Sequence, residues 1–216
     1  MKTFLSIGAG PGMGLATAER FAREGFRIVL SARNDGKTRD MADALRAAGR
    51  TVETRTVDAG DPAGVAALVA EVESTFGIDV LHYNAAAMRQ ARLADQPRDT
   101  FNADLAVNVG GALAAVQAAA EGMAARGAGT ILLTGGGFAL QPHPDYLSLS
   151  IGKAGIRALA QGLFDSFREN GIHVATVTVA GFVSPGSKEA EAVAERFWQL
   201  HGEPKESWTL ETVYTP

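Results

Sequence analysis

Phe4-Leu5-Ser6-Ile7-Gly8-Ala9-Gly10-Pro11-Gly12-Met13-Gly14-Leu15 is the stretch from which the rest of the chain can be read. An apolar run is followed at once by four glycines in seven residues, and then by a helix-forming segment from about Gly12 to Glu24. Glycine permits the positive φ angles of a sharp turn and puts no Cβ in the way of a close approach. A helix that starts at such a loop aims its unpaired N–H groups and the positive end of its dipole back at it, which suits a phosphate. The glycines alone are weak evidence, and the strand before and helix after them supply the context that a nucleotide loop requires.

Outward from this stretch, strand and helix signals alternate. Strands are expected at Phe26–Leu30, Thr51–Val57, Ile78–His82, Thr130–Leu133 and His173–Val179, with a further short one at Glu211–Tyr214. Helices are expected at Lys37–Ala48, Asp61–Phe76, Arg98–Arg126, Ser148–Asn170 and Ser187–His201. Asp61-Pro62 opens its helix with an N-cap and a first-turn proline, and Gly25, Gly49 and Gly171 read as helix stops. This alternation, with no linker or composition break, predicts an α/β fold: a doubly wound, Rossmann-like parallel sheet of six to seven strands with helices on both faces. Residues 1–216 are expected to form a single dinucleotide-binding domain, with a short C-terminal helix and tail (about 185–216) in place of a full substrate lobe. Ligands of such folds sit at the carboxyl ends of the strands, so Gly8–Gly14, Arg33, Asp58, Asn84, Gly135–Gly137 and Gly181–Pro185 become the candidate functional positions.

The composition is globular: 46% apolar, 20% charged and a net charge of −4 over 216 residues. With no basic run, nucleic acid and anionic membrane are not expected partners. There is no cysteine, which excludes disulfides, thiol catalysis and cysteine metal sites and is compatible with a reducing cytoplasm. No signal peptide or spanning apolar run is legible, so a cytoplasmic protein is expected. His82, His143, His173 and His201 show no metal-ligand spacing, and no metal is expected.

With Gly8-x-x-x-Gly12-x-Gly14 in place, four further matches occur in order. They are Tyr83-Asn84-Ala85-Ala86 after the fourth strand, Asn108 within Leu105–Gly110, Lys153 within Ser150–Gly155, and Ala180-Gly181-Phe182-Val183 after the sixth strand. Together, over about Thr3 to Pro185, they resemble the short-chain dehydrogenase/reductase family. The resemblance implies that Gly8, Gly10, Gly12, Met13 and Gly14 hold the pyrophosphate of a nicotinamide dinucleotide. It implies that Asp58 faces the adenine, that Asn84 and Ala85 line the cofactor, that Lys153 holds the nicotinamide ribose and that Gly181 and Val183 lie near the carboxamide. It also implies a homodimer or homotetramer built on the two long helices. At the end of the second strand a carboxylate would accept the ribose hydroxyls of NAD, but Ala32 and Arg33 stand there, and a guanidinium pairs with the 2′-phosphate of NADP. NADP is therefore expected, with nearby Asp35 arguing for NAD and the Asn34-Asp35-Gly36 turn arguing that Asp35 caps a helix.

The chain departs from the family where the proton is handled. Leu149 stands where the family's tyrosine is expected, and Gly136 where its serine is; neither side chain can donate a proton. Tyr146, seven residues before Lys153, is the candidate replacement, alongside water; Thr134, His143, Ser148 and Ser150 are other polar groups near it. Lys153, Asn108 and Tyr146 thus form the candidate catalytic set. The expected function is an NADP(H)-dependent oxidoreductase acting on a carbonyl-type small molecule with an atypical proton donor. The alternative is a non-catalytic NADP-binding sensor or scaffold. A flavoprotein or methyltransferase with a similar loop would want an acid where Ala32-Arg33 stands.

Overall fold

A computed structural model describes all of residues 1–216. The strands are β1 (Thr3–Ile7), β2 (Arg27–Ala32), β3 (Val52–Thr56), β4 (Val80–Tyr83), β5 (Gly129–Thr134), β6 (Ile172–Val179) and β7 (Glu211–Tyr214). They form one sheet in the order β3-β2-β1-β4-β5-β6-β7, and every pairing is parallel. The helices are α1 (Met13–Arg23), α2 (Asp35–Ala47), α3 (Pro62–Phe76), α4 (Thr100–Leu105), α5 (Gly111–Arg126), α6 (Leu147–Glu169) and α7 (Lys188–His201). Strand order reverses between β1 and β4, which opens the crevice where ligands of doubly wound sheets bind.

Parallel strands covered on both faces are buried throughout, and here β1, β4 and β6 have no exposed residue. Alternate side chains feed two cores. Leu5, Ile7, Val29, Leu81 and Ile131 pack with Val65, Val69 and Val72 of α3 and Ala112, Ala115 and Ala119 of α5. Phe4, Ile28, Leu30, Val80 and Leu132 pack with Ala18 and Phe21 of α1 and Val193 and Phe197 of α7. The tail helix is thus core material: Trp198 meets Phe21 edge-on at 5.1 Å, with the Arg20 guanidinium 4.5 Å over its ring. β7 is held by Glu211, whose carboxylate accepts from Arg157 Nε at 2.9 Å and from Thr178 Oγ1 at 2.5 Å. Helix starts follow their caps: Asn34 accepts from Lys37 N, Asp61 from Ala63 N and Ser187 from Ala190 N.

Two expectations are corrected. The single regular helix Arg98–Arg126 begins at Thr100 and is interrupted by a π turn, Ala106–Gly110, between α4 and α5. The extra residue of that turn buries Asn108, and Gly111 follows where a Cβ would collide with Ala59 and Tyr83. The expectation that no segment reaches membrane-spanning length also fails by composition. The continuous helical stretch Thr100–Arg126 has a window of mean hydropathy 1.3, long and apolar enough to cross a bilayer. Its many alanines raise the mean without a run of bulky side chains, and Ala112, Ala115, Val116, Ala119 and Met123 are buried against the sheet.

Candidate active site at the carboxyl end of the sheet

The glycine loop leaves β1 and turns over the β2 end, where Gly8 N and Ala9 N both donate to Ser31 O at 2.9 and 3.0 Å. Gly8 takes φ +87°, and a Cβ there would come within 2.8 Å of Ala85 Cβ, so the loop can pass beside the chain leaving β4 only as glycine. Gly10 has no atom within 4 Å of a would-be Cβ and stands open. Gly12 caps α1, and Gly14 packs the helix onto the loop, 3.0 Å from Gly8 O and 3.1 Å from Asn84 Nδ2 at its would-be Cβ. This is a bare backbone cradle at a helix start, and it fits a pyrophosphate. A cavity of about 910 Å³ runs from Arg33 and Lys37, past Gly10 and Asp58, to Gly135–Gly137, Lys153 and Phe182.

Charges are sorted along this cavity. At the β2 end Arg33 and Lys37 line the wall and neither has an acidic partner, whereas Asp35 is paired with Arg39 along α2. Asp58 also lines the wall, with one oxygen accepting from Gly60 N at 2.9 Å.

A buried polar chain lies under the other end. Asn84 Nδ2 donates to Gly8 O at 2.9 Å, which turns its Oδ1 towards Thr134 Oγ1, a donor at 3.0 Å. The Thr134 hydroxyl then accepts from His82 Nε2 at 3.1 Å, and His82 Nδ1 accepts from Ser6 Oγ at 3.4 Å. Burial, helped by the charge of Lys153, holds His82 down at about 3, so this chain is neutral at physiological pH. Its pH consequence is definite. An unfolded histidine takes up its proton near 6.5, while folded His82, and His201 at about 4, do not. Over that window the unfolded chain binds more protons, so stability is lost as pH falls from about 6.5 towards 4. Urea midpoints are expected to drop between pH 7 and pH 4.5 with little change from 7 to 8.

Lys153 donates from Nζ to the Thr134 carbonyl at 2.7 Å. Desolvation lowers it to about 8. Its stem crosses Gly136, where a Cβ would sit 3.1 Å from Cγ and 3.3 Å from Cδ. Leu149, only 4% exposed, presents an apolar side chain to the cavity one turn before it.

Residues 2–194 match the family model described as short chain dehydrogenase. The chain belongs to that family. An uncharacterized oxidoreductase of Bacillus subtilis, YxbG, is 28% identical across 97% of this chain and 82% of its own length. A short-chain dehydrogenase from Rhodopseudomonas palustris superposes with a TM-score of 0.91 at 27% identity, covering 100% of this chain and 98% of that one. A metagenomic short-chain oxidoreductase in complex with NADP gives a TM-score of 0.91 at 25% identity, covering 100% and 97%. The fold class is therefore the Rossmann-like one, and the protein is a short chain dehydrogenase-type oxidoreductase that uses a nicotinamide cofactor.

Within this short chain dehydrogenase the predicted residues separate into groups. Gly8, Gly10, Met13, Arg33, Asp58, Asn84, Ala85, Lys153 and Gly181 line the cavity together. Gly12, Gly14 and Val183 lie just behind that wall, Val183 with its carbonyl 3.9 Å from a Cβ on Gly12. Asn108 is buried in the π turn, accepting from Ala87 N at 2.7 Å and donating to Ala87 O at 3.3 Å, so it clamps the segment after β4. Tyr146 precedes α6, its ring stacked on Phe138 at 5.4 Å and its hydroxyl in no hydrogen bond. The cavity wall does not include Tyr146 or Asn108. Sequence reasoning passed over His82, Lys37, Phe138, Gln141 and Phe182. Lys37 had a legible signal, a cation one turn into the helix whose cap follows Arg33. His82 had none, because a buried neutral histidine reads like any strand residue.

No group of three or more metal-ligating side chains is gathered in the structure.

Proposed function

We propose that this short chain dehydrogenase is an NADP(H)-dependent oxidoreductase that moves a hydride to or from a carbonyl-type small molecule. The observation that carries the cofactor choice is the pair of unpartnered cations, Arg33 and Lys37, on the cavity wall, together with the engagement of Asp35 by Arg39. Two cations with no local acid favour a 2′-phosphate and leave NAD without the carboxylate that its ribose prefers. The glycine cradle would hold the pyrophosphate, the free oxygen of Asp58 the adenine amino group, and Asn84, Ala85, Gly181 and Val183 the remaining length. When bound, the cofactor supplies or accepts the hydride. Asn108 acts as a positioning residue through Ala87.

We assign the proton to Lys153, either directly or through a water that it holds. Its ammonium is the ionisable group on the cavity floor beside Gly136 and Leu149, and with its lowered affinity for protons it is poised near the working pH. Tyr146, packed on Phe138 away from the wall, is the less supported donor. Leu113 and Ile151, 41% and 42% exposed on α5 and α6, support the further proposal of a homodimer or homotetramer. A cysteine-free chain fits a cytoplasmic location.

Titration with NADPH and with NADH tests the cofactor assignment. Arg33→Ala is expected to weaken NADPH binding by about 10- to 100-fold, the worth of a charged hydrogen-bonded pair, and to leave NADH binding nearly unchanged. Binding of neither cofactor would overturn the reading. NADPH binding with no turnover on any carbonyl compound would return the protein to a non-catalytic cofactor binder.

A further inference from the structure

The end of the cavity beyond Lys153 differs in chemistry from the rest. Its wall is Met88, Phe138, Gln141, Pro142, His143, Leu149 and Phe182, with no arginine, aspartate or glutamate among them. Two loops bring the aromatic rings. From the segment after β5, Phe138 stacks on Tyr146 with planes 22° apart, and His143 lies 5.6 Å from both rings. From the segment after β6, Phe182 reaches back to Tyr146 at 6.4 Å. Phe182 is 71% exposed and Met88 63%, so two large apolar side chains face solvent at the mouth of one cavity. Apolar surface gathered in this way marks a binding site more often than chance exposure.

Charge narrows the ligand. Arg33 and Lys37 are at the opposite end, no carboxylate lines this one, and Lys153 spends one of its three N–H donors on the Thr134 carbonyl and keeps the others for the reacting oxygen. The other polar side chains on this wall are His143 and Gln141. His143 Nδ1 accepts from Asp145 N at 3.1 Å, which leaves its donor on Nε2, and Gln141 offers an amide. A cationic ligand would be desolvated there without a partner, and a polyol would leave most of its hydroxyls unpaired. Flat aromatic surface, by contrast, matches rings that already stack.

We propose that this end of the cavity takes an aromatic carbonyl compound, its ring laid against Phe138 and Phe182. The inference rests on the reading of the other end as the dinucleotide cleft.

Calorimetric titration with 2-acetonaphthone, an aryl ketone, against octanamide, a neutral alkyl carbonyl compound, tests it on the protein saturated with NADP⁺. The ketone is expected to bind at least about tenfold more tightly than the amide, since only its ring can stack on Phe138 and Phe182. Phe182→Ala, at an exposed position where folding is not at stake, is expected to weaken the ketone about tenfold while leaving NADP⁺ affinity unchanged. Failure of the ketone to bind, equal or tighter binding of the amide, or an unaltered ketone affinity in Phe182→Ala would each overturn the proposal while the cofactor reading stands. Failure of NADP⁺ itself to bind in the preceding titration would overturn the cofactor reading and this inference with it.

Discussion

Replacing Lys153 by methionine is expected to lower NADPH-dependent carbonyl reduction by about three orders of magnitude and to raise thermal stability. The first effect is the size associated with loss of a general acid from a proton transfer. Leu149 and Gly136 have no proton to give and Tyr146 is packed on Phe138, which leaves His143 as the other proton-bearing ring on the wall. The second effect follows from burial. An ammonium held at about 8 instead of 10.5 is one that the fold disfavours, with an upper bound of about 3 kcal/mol before solvent screening is discounted. Methionine fills a similar volume without that cost. Functional groups are often held at such a cost, so opposite movements of turnover and stability separate this role from a structural one. Lys153→Arg sharpens the test, because a guanidinium keeps the charge but does not release its proton. It is expected to retain NADPH binding and lose turnover.

The pH dependence has the same origin. Lys153 is the protonated donor below about 8 and loses its proton above it, so kcat for reduction is expected to fall as pH rises through that value. Stability moves the other way. Between about pH 8 and 10.5 the unfolded chain binds a proton that the folded chain does not, so this contribution rises with pH across that window. A kcat profile flat through pH 9 would remove Lys153 as the donor.

Most of the fold was legible because its signals are local. Gly25, Gly49 and Gly171 sit at positive φ after their helices, and Asp61 caps α3 where its sequence places it. β1, β4 and β6 read as apolar runs because both faces are covered. The π turn at Ala106–Gly110 was not legible, since one extra residue in a helix leaves no composition mark and shows only in the burial of Asn108 against Ala87. The site divided in the same way. Loop glycines and the cations after β2 carry their chemistry in residue type and spacing. The assembly of Ser6, His82, Thr134 and Asn84 depends on the register β1–β4–β5, which sets three strands side by side and which no single segment encodes. Tyr146 shows the limit of sequence proximity. It lies one turn before Leu149, yet its ring is turned to Phe138 and Phe182 and not into the wall with Lys153.

Two glycines of the same loop are expected to respond in opposite ways to one methyl group. Gly8→Ala should lower the melting temperature by about 6 °C or more, because a domain of this size loses about 2–4 °C per kcal/mol. Its φ of +87° is unfavourable for any residue with a Cβ by about 1–2 kcal/mol, and the new methyl would press on Ala85, adding an overpacking cost of about 1–3 kcal/mol. The displaced partner is the backbone leaving β4, which Asn84 and Asn108 both hold, so relief by a small side-chain shift is not available. Gly10→Ala meets no atom within 4 Å and should leave the melting temperature nearly unchanged. Its methyl would instead enter the open side of the cradle, and NADPH affinity should fall while folding does not. The pair therefore separates the two reasons for glycine in this loop. One lets the chain pass another chain, and the other leaves the backbone bare for a phosphate. Equal NADPH affinity in Gly10→Ala and wild type would mean that the pyrophosphate lies elsewhere in the cavity, and the cradle would then be only the turn that Gly8 requires.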